Sequence, residues 1–315
     1  MNTKLKLTKA KEANPKEPVK KIKPKRNTKR FLLLKLKSGL FIAPSFLGVM
    51  VFFLIPFCVI IYYSMVDNPI SKVYVGLANF KSVASNEAFL TAVKNTALFS
   101  VISVPLAMIL SLILAMVLDL KIPFKSQFRT FFLSPMMVPV ASIVLIWQVL
   151  FHNNGAVNDV IMKFGVERID WMKSDYSIIV IVVLFLWKNL GYNMILFMAA
   201  LSSIPRDVLE VARLESANAL QTFFYVKIRY LSSTILFVTI MSLISSFKIF
   251  REIYLLTTDY PYPTLYMLQH YMNNKFKKLD YQALSAGAIM MSLVMVVIIG
   301  LLFIVEERFG KDVEG

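Results

Sequence analysis

Six long apolar runs, at 39–65, 92–118, 128–151, 176–201, 231–249 and 283–305, alternate with shorter segments that hold most of the charge. A helix needs about 20 apolar residues to cross roughly 30 Å of hydrocarbon, and every run is about that long or longer. The pattern therefore predicts an all-α integral membrane protein with six transmembrane helices. The first run follows a cationic segment, as a signal peptide would. Yet the preceding tail is too long for an n-region, the run is too long for an h-region, and no small-x-small cleavage site follows Tyr63, so a retained helix is expected. Composition agrees: 57% of the 315 residues are hydrophobic and 25 are Phe, more apolar surface than a soluble domain of this size buries.

Charge changes the picture only at one end. Residues 1–37 hold fourteen Lys or Arg against two Glu, a net +12 of the chain's +16. This tail has three prolines and no apolar period, so it is expected to be a disordered basic cytosolic segment attracted to anionic lipid. Nucleic acid is not an expected partner, because Phe31 is the only ring before Phe41 and bases need stacking partners. Lys and Arg near the span ends set orientation. The tail, the loop with Lys121, Lys125 and Arg129, and the loop with Arg206, Arg213, Lys227 and Arg229 then lie in the cytosol, with both termini inside a bacterial plasma membrane. The expected layout is a tail at 1–37, a six-helix domain at 38–310 and a short cytosolic tail at 311–315. The outward loops mix their basic residues with acids, among them Asp67, Asp159, Asp175, Glu252 and Asp280.

Candidate chemistry is sparse. Cys58 stands alone inside an apolar run, so no intrachain disulfide or thiolate metal site is expected, and it reads as a small interior residue. His152 and His270 lack a Cys or Glu at ligand spacing, which predicts no metal. The phosphate loop G-x-x-x-x-G-K-[ST] is missing, so this chain is not expected to bind nucleotide or to be an enzyme, and no cofactor is expected. The three-span halves share neither loop lengths nor glycine and proline positions, unlike carriers built from inverted repeats.

The most informative segment is the polar loop at 204–230. Pro205 suits a helix start, and Asp207 with Glu210 makes an acidic first turn ending in a helix near Glu215. Asn218 and Gln221 have capping-box spacing for a second helix. The segment is therefore helix, turn, helix.

Its residues resemble the cytosolic signature of permease subunits of ATP-binding-cassette carbohydrate importers, the group similar to the maltose and glycerol-phosphate systems. Glu210-Val211-Ala212 stands for Glu-Ala-Ala, Leu214-Glu215 for Ile-Asp and Ala217-Asn218 for Ala-Ser, with Gln221 and Phe223 retained. Ser216 occupies the usual glycine and Arg229 the terminal proline. Further matches run in order from about 40 to 307: Gly76 to Phe80, Asn95-Thr96, Phe128 to Pro135, Ile204-Pro205, and Phe247 to Thr257. The resemblance implies a type I importer fold with a cytosolic coupling helix between spans four and five. It implies as partners a second permease subunit, two ATPase subunits and an extracytoplasmic solute-binding protein, with the ATPase contact at Glu210, Val211, Ala212, Leu214, Glu215, Ser216, Ala217, Asn218 and Gln221. The outer loop with Tyr260, Tyr262, Tyr266, His270 and Tyr271 resembles the region facing the binding protein.

Polar groups at membrane depth line cavities or bond neighbouring helices. Trp147 and Gln148, Trp187, Lys188, Asn189 and Asn193, and Ser245 and Lys248 are the candidate substrate pathway. Amides beside an indole plane suit a sugar, whereas Lys188 alone favours an anionic solute such as a sugar phosphate. The expected function is import of an oligosaccharide. The alternatives are an importer permease for another solute, such as glycerol phosphate or an amino acid, and an ion-coupled carrier, which calls for intramembrane carboxylates absent from the six runs.

Overall fold

The computed structural model describes residues 28–120 and 122–310, so most of the basic tail and the segment 311–315 lie outside the described residues. The chain divides into two units, Met1–Phe57 and Cys58–Gly315. In the first, α1 (Thr28–Val49) passes through a π-helical turn (Met50–Leu54) into α2 (Ile55–Ser64), which carries on into the second. Helix therefore begins inside the segment expected to be disordered. Cys58 is exposed on α2 rather than interior.

The second unit continues with α3 (Ala78–Ala84), α4 (Glu87–Asp119), α5 (Lys125–Met137), α6 (Val140–Leu150), α7 (Ala156–Met162) and α8 (Ser177–Ser203). It goes on through α9 (Arg206–Leu214), α10 (Ala219–Gln221), a π-helical turn (Thr222–Lys227), α11 (Ile228–Tyr230), α12 (Ser232–Phe247), α13 (Phe250–Thr257), α14 (Leu268–Lys277) and α15 (Tyr281–Gly310). Among the described residues there is no strand, only an isolated bridge between Val66 and Tyr74.

Five helical stretches are long and apolar enough to cross a membrane: Gly39–Ser64, Glu87–Asp119, Ser177–Ser203, Ser232–Thr257 and Tyr281–Arg308. The third apolar run is not straight. It forms α5 and α6, bent by 100°, and becomes a sixth span only if that pair counts as one. The cause is Pro139, which forces Val138 into extended backbone (φ −81°, ψ 131°) and leaves no helical continuation. The fifth span also reaches past its expected end at 249, turning at Lys248 and Ile249 into α13.

Apolar helices gain little from leaving lipid for one another, so close packing depends on small residues. Helix α4 supplies a stripe of them at Ser100, Ser103, Ala107, Ser111 and Ala115, all buried. Around this stripe α8 packs Met194, Phe197, Met198 and Leu201 against Leu112 and Leu118 at one end. Toward the other end Ile181 and Phe185 of α8 pack with Phe99 of α4, and Ile249 and Ile253 join them. Gly191 of α8 meets α5 backbone to backbone. An added Cβ there falls 1.9 Å from the Phe132 carbonyl oxygen, so only glycine fits.

Candidate functional site

The loop after α8 is a capped elbow. Ile204, preceding Pro205, turns extended and ends α8 (φ −65°, ψ 125°). Pro205 then starts α9, with Asp207 in its first turn. The helix closes in a Schellman motif: the Ser216 N–H donates to the Arg213 carbonyl (3.0 Å) and the Ala217 N–H to the Ala212 carbonyl (3.0 Å). Ser216 adopts φ 59°, so the serine in the usual glycine place still makes the left-handed turn. Asn218 then caps the next helix. The Gln221 N–H donates to Asn218 Oδ1 (2.8 Å) and the Asn218 N–H to Gln221 Oε1 (2.9 Å), as its spacing predicts.

What the elbow shows outward follows from its base. Leu209, Phe223 and Ile228 pack against the core shared by α4 and α8, and Ala212 is buried. On the other side Val211 is 53% and Leu214 85% exposed, with Glu210, Glu215, Ser216, Asn218 and Gln221 exposed beside them and Ala217 half-buried. Of the expected contact residues, Ala212 faces inward and the rest surround an apolar surface.

The pathway candidates separate into two sets. Trp147 and Trp187 lie against each other with ring centroids 5.1 Å apart and planes tilted by 41°, and the Trp147 Nε1–H is buried with no acceptor among the described residues. Next to them the Lys188 ammonium donates to the Glu252 carboxylate, the lysine side chain 28% and the glutamate 5% exposed. Gln148 Nε2 reaches the Leu256 carbonyl at 3.5 Å, a long bond that leaves much of the amide free. These residues converge on α13. Elsewhere Asn193 Nδ2 donates to Ser242 Oγ (3.0 Å) with both residues buried, a bond between helices and not a lining. Asn189 is turned back to the Phe185 carbonyl of its own helix (2.8 Å). Ser245 is half-buried and Lys248 exposed.

The charge pattern puts Glu252 in an outer loop. It instead sits on the buried face of α13, between Ile249, Ile253 and Leu256. Spacing is the signal that could have found it: three and four residues separate Glu252 from Ile249 and Leu256, so a helix puts all of them on one side. The carboxylate thus lies in a candidate span, in the part that extends beyond the 231–249 run, which itself contains none.

Two sequence matches prove to be structural pins. Asn95 Nδ2 donates to the carbonyls of Pro263 (2.6 Å) and Tyr266 (3.1 Å), and Thr96 Oγ1 accepts from the Leu268 N–H (2.9 Å). Asn79 Nδ2 likewise holds the carbonyls of Ser64 (3.0 Å) and Val66 (2.8 Å). In the outer loop Tyr260 is exposed, but His270 and Tyr271 are buried, so those two pack and do not face out. Burial pushes the His270 imidazole down to about 4 and the Tyr271 hydroxyl up to about 12. Nδ1 of the neutral His270 accepts the Met267 N–H (3.2 Å), which caps α14.

Comparison with known proteins places this geometry. The chain is 29% identical over 188 residues to the arabinooligosaccharides transport system permease protein AraP of Halalkalibacterium halodurans, covering 58% of this chain and 59% of that one. It is 26% identical over 281 residues to the sn-glycerol-3-phosphate transport system permease protein UgpA of Agrobacterium fabrum, covering 87% and 96%. Among solved structures, a chain of a bacterial ABC transporter involved in the import of the acidic polysaccharide alginate superposes with a TM-score of 0.75 at 19% identity, covering 88% of this chain and 98% of that one. The same fold occurs in a bacterial alginate ABC transporter in complex with its pentasaccharide-bound periplasmic protein, at a TM-score of 0.74 and 20% identity over 90% and 96% of the two chains. A family model matches residues 107–314, well over half of the sequence, and the chain belongs to the family of binding-protein-dependent transport system inner membrane components.

Proposed function

We propose that this chain is the membrane-spanning permease of an ATP-driven importer for an oligosaccharide, and that α9 is the element its ATPase subunit grips. The observation that carries the coupling role is the outward face of α9. Val211 and Leu214 are held exposed on a short, doubly capped elbow whose other face is anchored to the core of α4 and α8. Apolar residues displayed on a rigid helix call for a partner, and a rigid element transmits a displacement that a floppy loop would absorb.

The basic loops put α9 in the cytosol, where a nucleotide hydrolase works, and leave α7 and α14 outside to meet a solute-binding protein. A second permease completes the pathway. The adjoining indoles of Trp147 and Trp187, the free capacity of Gln148 and the unpartnered Trp147 Nε1–H suit the ring face and hydroxyls of a sugar. Glu252 cancels the Lys188 charge, which removes that lysine as a reason to prefer a phosphorylated solute.

The test is reconstitution with the co-assembling subunits in proteoliposomes. ATP-driven uptake is expected, and Leu214→Arg is expected to release the hydrolase and stop uptake while the permease stays folded. Uptake against a gradient by this chain alone, or an intact and active complex carrying Leu214→Arg, overturns the reading.

A further inference from the structure

The span formed by α12 and α13 carries two cations that have no counter-charge among the described residues. Lys248, at the junction of the two helices, and Arg251, in the first turn of α13, are both exposed. Neither side chain makes a hydrogen bond or ion pair with another described residue. They lie nine and six residues before the end of the candidate span at Thr257. A lysine at a helix end snorkels to the interface, but Lys248 is roughly two and a half turns from that end, too deep for its stem to reach out. A charge at such depth faces a water-filled cavity or a partner. Three residues apart on a helix, the two side chains share one face, while Ile249, Glu252 and Ile253 turn to the packed side. The buried carboxylate of Glu252 already accepts from Lys188, so it leaves Arg251 uncompensated.

We infer that Lys248 and Arg251 bind carboxylates of the solute, so that the transported oligosaccharide is an acidic one built from uronic-acid units. The inference rests on the proposed function and adds the charge of its substrate. The same stretch of helix meets the groups that suit a sugar. Gln148 reaches the Leu256 carbonyl of α13 with amide capacity to spare, and Lys188, bonded to Glu252, directly follows Trp187 of the indole pair. Beside Trp187 the Trp147 Nε1–H is buried without an acceptor among the described residues. A neutral sugar makes no use of two cations, and leaving them unpaired within a span is costly. A planar guanidinium takes a carboxylate through two parallel N–H···O bonds, and the nearby ammonium adds a point of attraction. Cβ atoms one helical turn apart stand about 5–6 Å from each other. That separation suits carboxylates on successive units of a chain and is wider than the single phosphate of a sugar phosphate requires.

The test uses the assembled transporter without its binding protein, so that only the membrane site is read. Trimers of galacturonate and of mannuronate are compared with their methyl esters, which keep the skeleton and lose the charge, and with galactose 1-phosphate. Binding is titrated by saturation-transfer NMR. An acidic trimer is expected to bind about tenfold more tightly than its ester, the scale of one charge-assisted hydrogen bond, and more tightly than galactose 1-phosphate. Lys248→Gln and Arg251→Gln are each expected to remove most of that preference and to leave binding of the ester unchanged. Arg251→Lys, which keeps the charge and loses the paired donors, is expected to keep part of it. Both side chains are exposed, so the fold does not depend on them. Acidic trimers bound no better than their esters, a preference for galactose 1-phosphate, or a preference that survives Lys248→Gln/Arg251→Gln overturns the inference. So does dissociation of the permease pair by that double variant, which would show that the cations answer acids on the second permease. ATP-driven uptake with the binding protein restored is scored separately: uptake without the acidic preference sinks this inference alone, and the preference without ATP-driven uptake sinks the proposed function and leaves an anion site standing.

Discussion

Glu252→Gln is the sharpest perturbation of the proposed pathway, because it removes one charge from a pair whose glutamate side is only 5% exposed. Removing one partner of a buried ion pair costs about 3–5 kcal/mol, since the other charge is left without compensation. Here Lys188 retains 28% exposure and part of its hydration, which puts the expected cost near the lower end, at about 3 kcal/mol. Lys188→Met strands the more buried partner, so it is expected to cost at least as much, offset only in part by the helix dipole that favours a carboxylate in the first turn of α13. With both charges gone nothing is left unpaired. Lys188→Met/Glu252→Gln is therefore expected to lie within about 1 kcal/mol of the parent, in line with the near-neutral replacement of whole buried pairs. Thermal unfolding of the solubilised chain reads this directly. At roughly 2–4 °C per kcal/mol, Glu252→Gln should lower the midpoint by about 6–12 °C, and the double variant should recover most of that loss. A midpoint unchanged by Glu252→Gln, or a double variant less stable than either single one, refutes the reasoning and demotes the pair to a surface contact.

Three further outcomes are expected. Ser216→Gly relieves a left-handed backbone cost of about 1–2 kcal/mol, against less than about 1 kcal/mol of added chain entropy, so the Ser216 and Ala217 amides should exchange with deuterium about two- to fivefold more slowly; faster exchange would show that the turn is not strained. His270, with its imidazole lowered to about 4 from an unfolded value near 6.5, contributes stability in full above pH 6.5 and loses it as pH falls toward 4. At pH 5 the loss is about 2 kcal/mol, so the unfolding midpoint should drop between pH 7 and pH 5, and His270→Phe should flatten that drop; an equal drop in the variant rules His270 out as its source. Gly191→Ala should cost about 1–3 kcal/mol as overpacking, because its methyl group meets the Phe132 carbonyl of α5, and a parent-like midpoint would mean that α5 yields freely.

The elements most legible in the sequence are those whose signals are local. Apolar length alone locates five of the spans, and the Asn218 and Gln221 spacing locates a cap that forms with both its bonds. The bend between α5 and α6 is local too, written in Val138-Pro139, but the length of the apolar run around it hides the break. What cannot be read is which face each polar group takes. Asn193 and Lys188 look alike as polar residues at depth, yet one bonds Ser242 and the other Glu252, and that choice depends on residues 49 and 64 positions away in the chain. Glu252 is easily misplaced because charge ordinarily marks a loop. In a span that charge is tolerable only with a partner, and no local pattern names the partner.

The core explains why a push on α9 need not dissipate. Ile204 at the head of the elbow and Leu209 within α9 belong to the same apolar cluster as Leu112 and Leu118 of α4, Phe197 and Leu201 of α8, and Val238 of α12. Three spanning helices therefore share one packed joint directly above the elbow, and packed interiors shift between discrete arrangements instead of deforming continuously. Farther along, α8 holds α5 through the bare backbone of Gly191 and holds α13 through Lys188. A displacement of α8 must carry both with it, along with Trp187 and its contact with Trp147. On the proposed function, motion delivered at Val211 and Leu214 would reach the indole pair through helices joined at contacts that have little room to slip. The elbow follows the end of α8 and the proposed pathway residues Trp187 and Lys188 lie near its middle, and the stiffness of α8 links them.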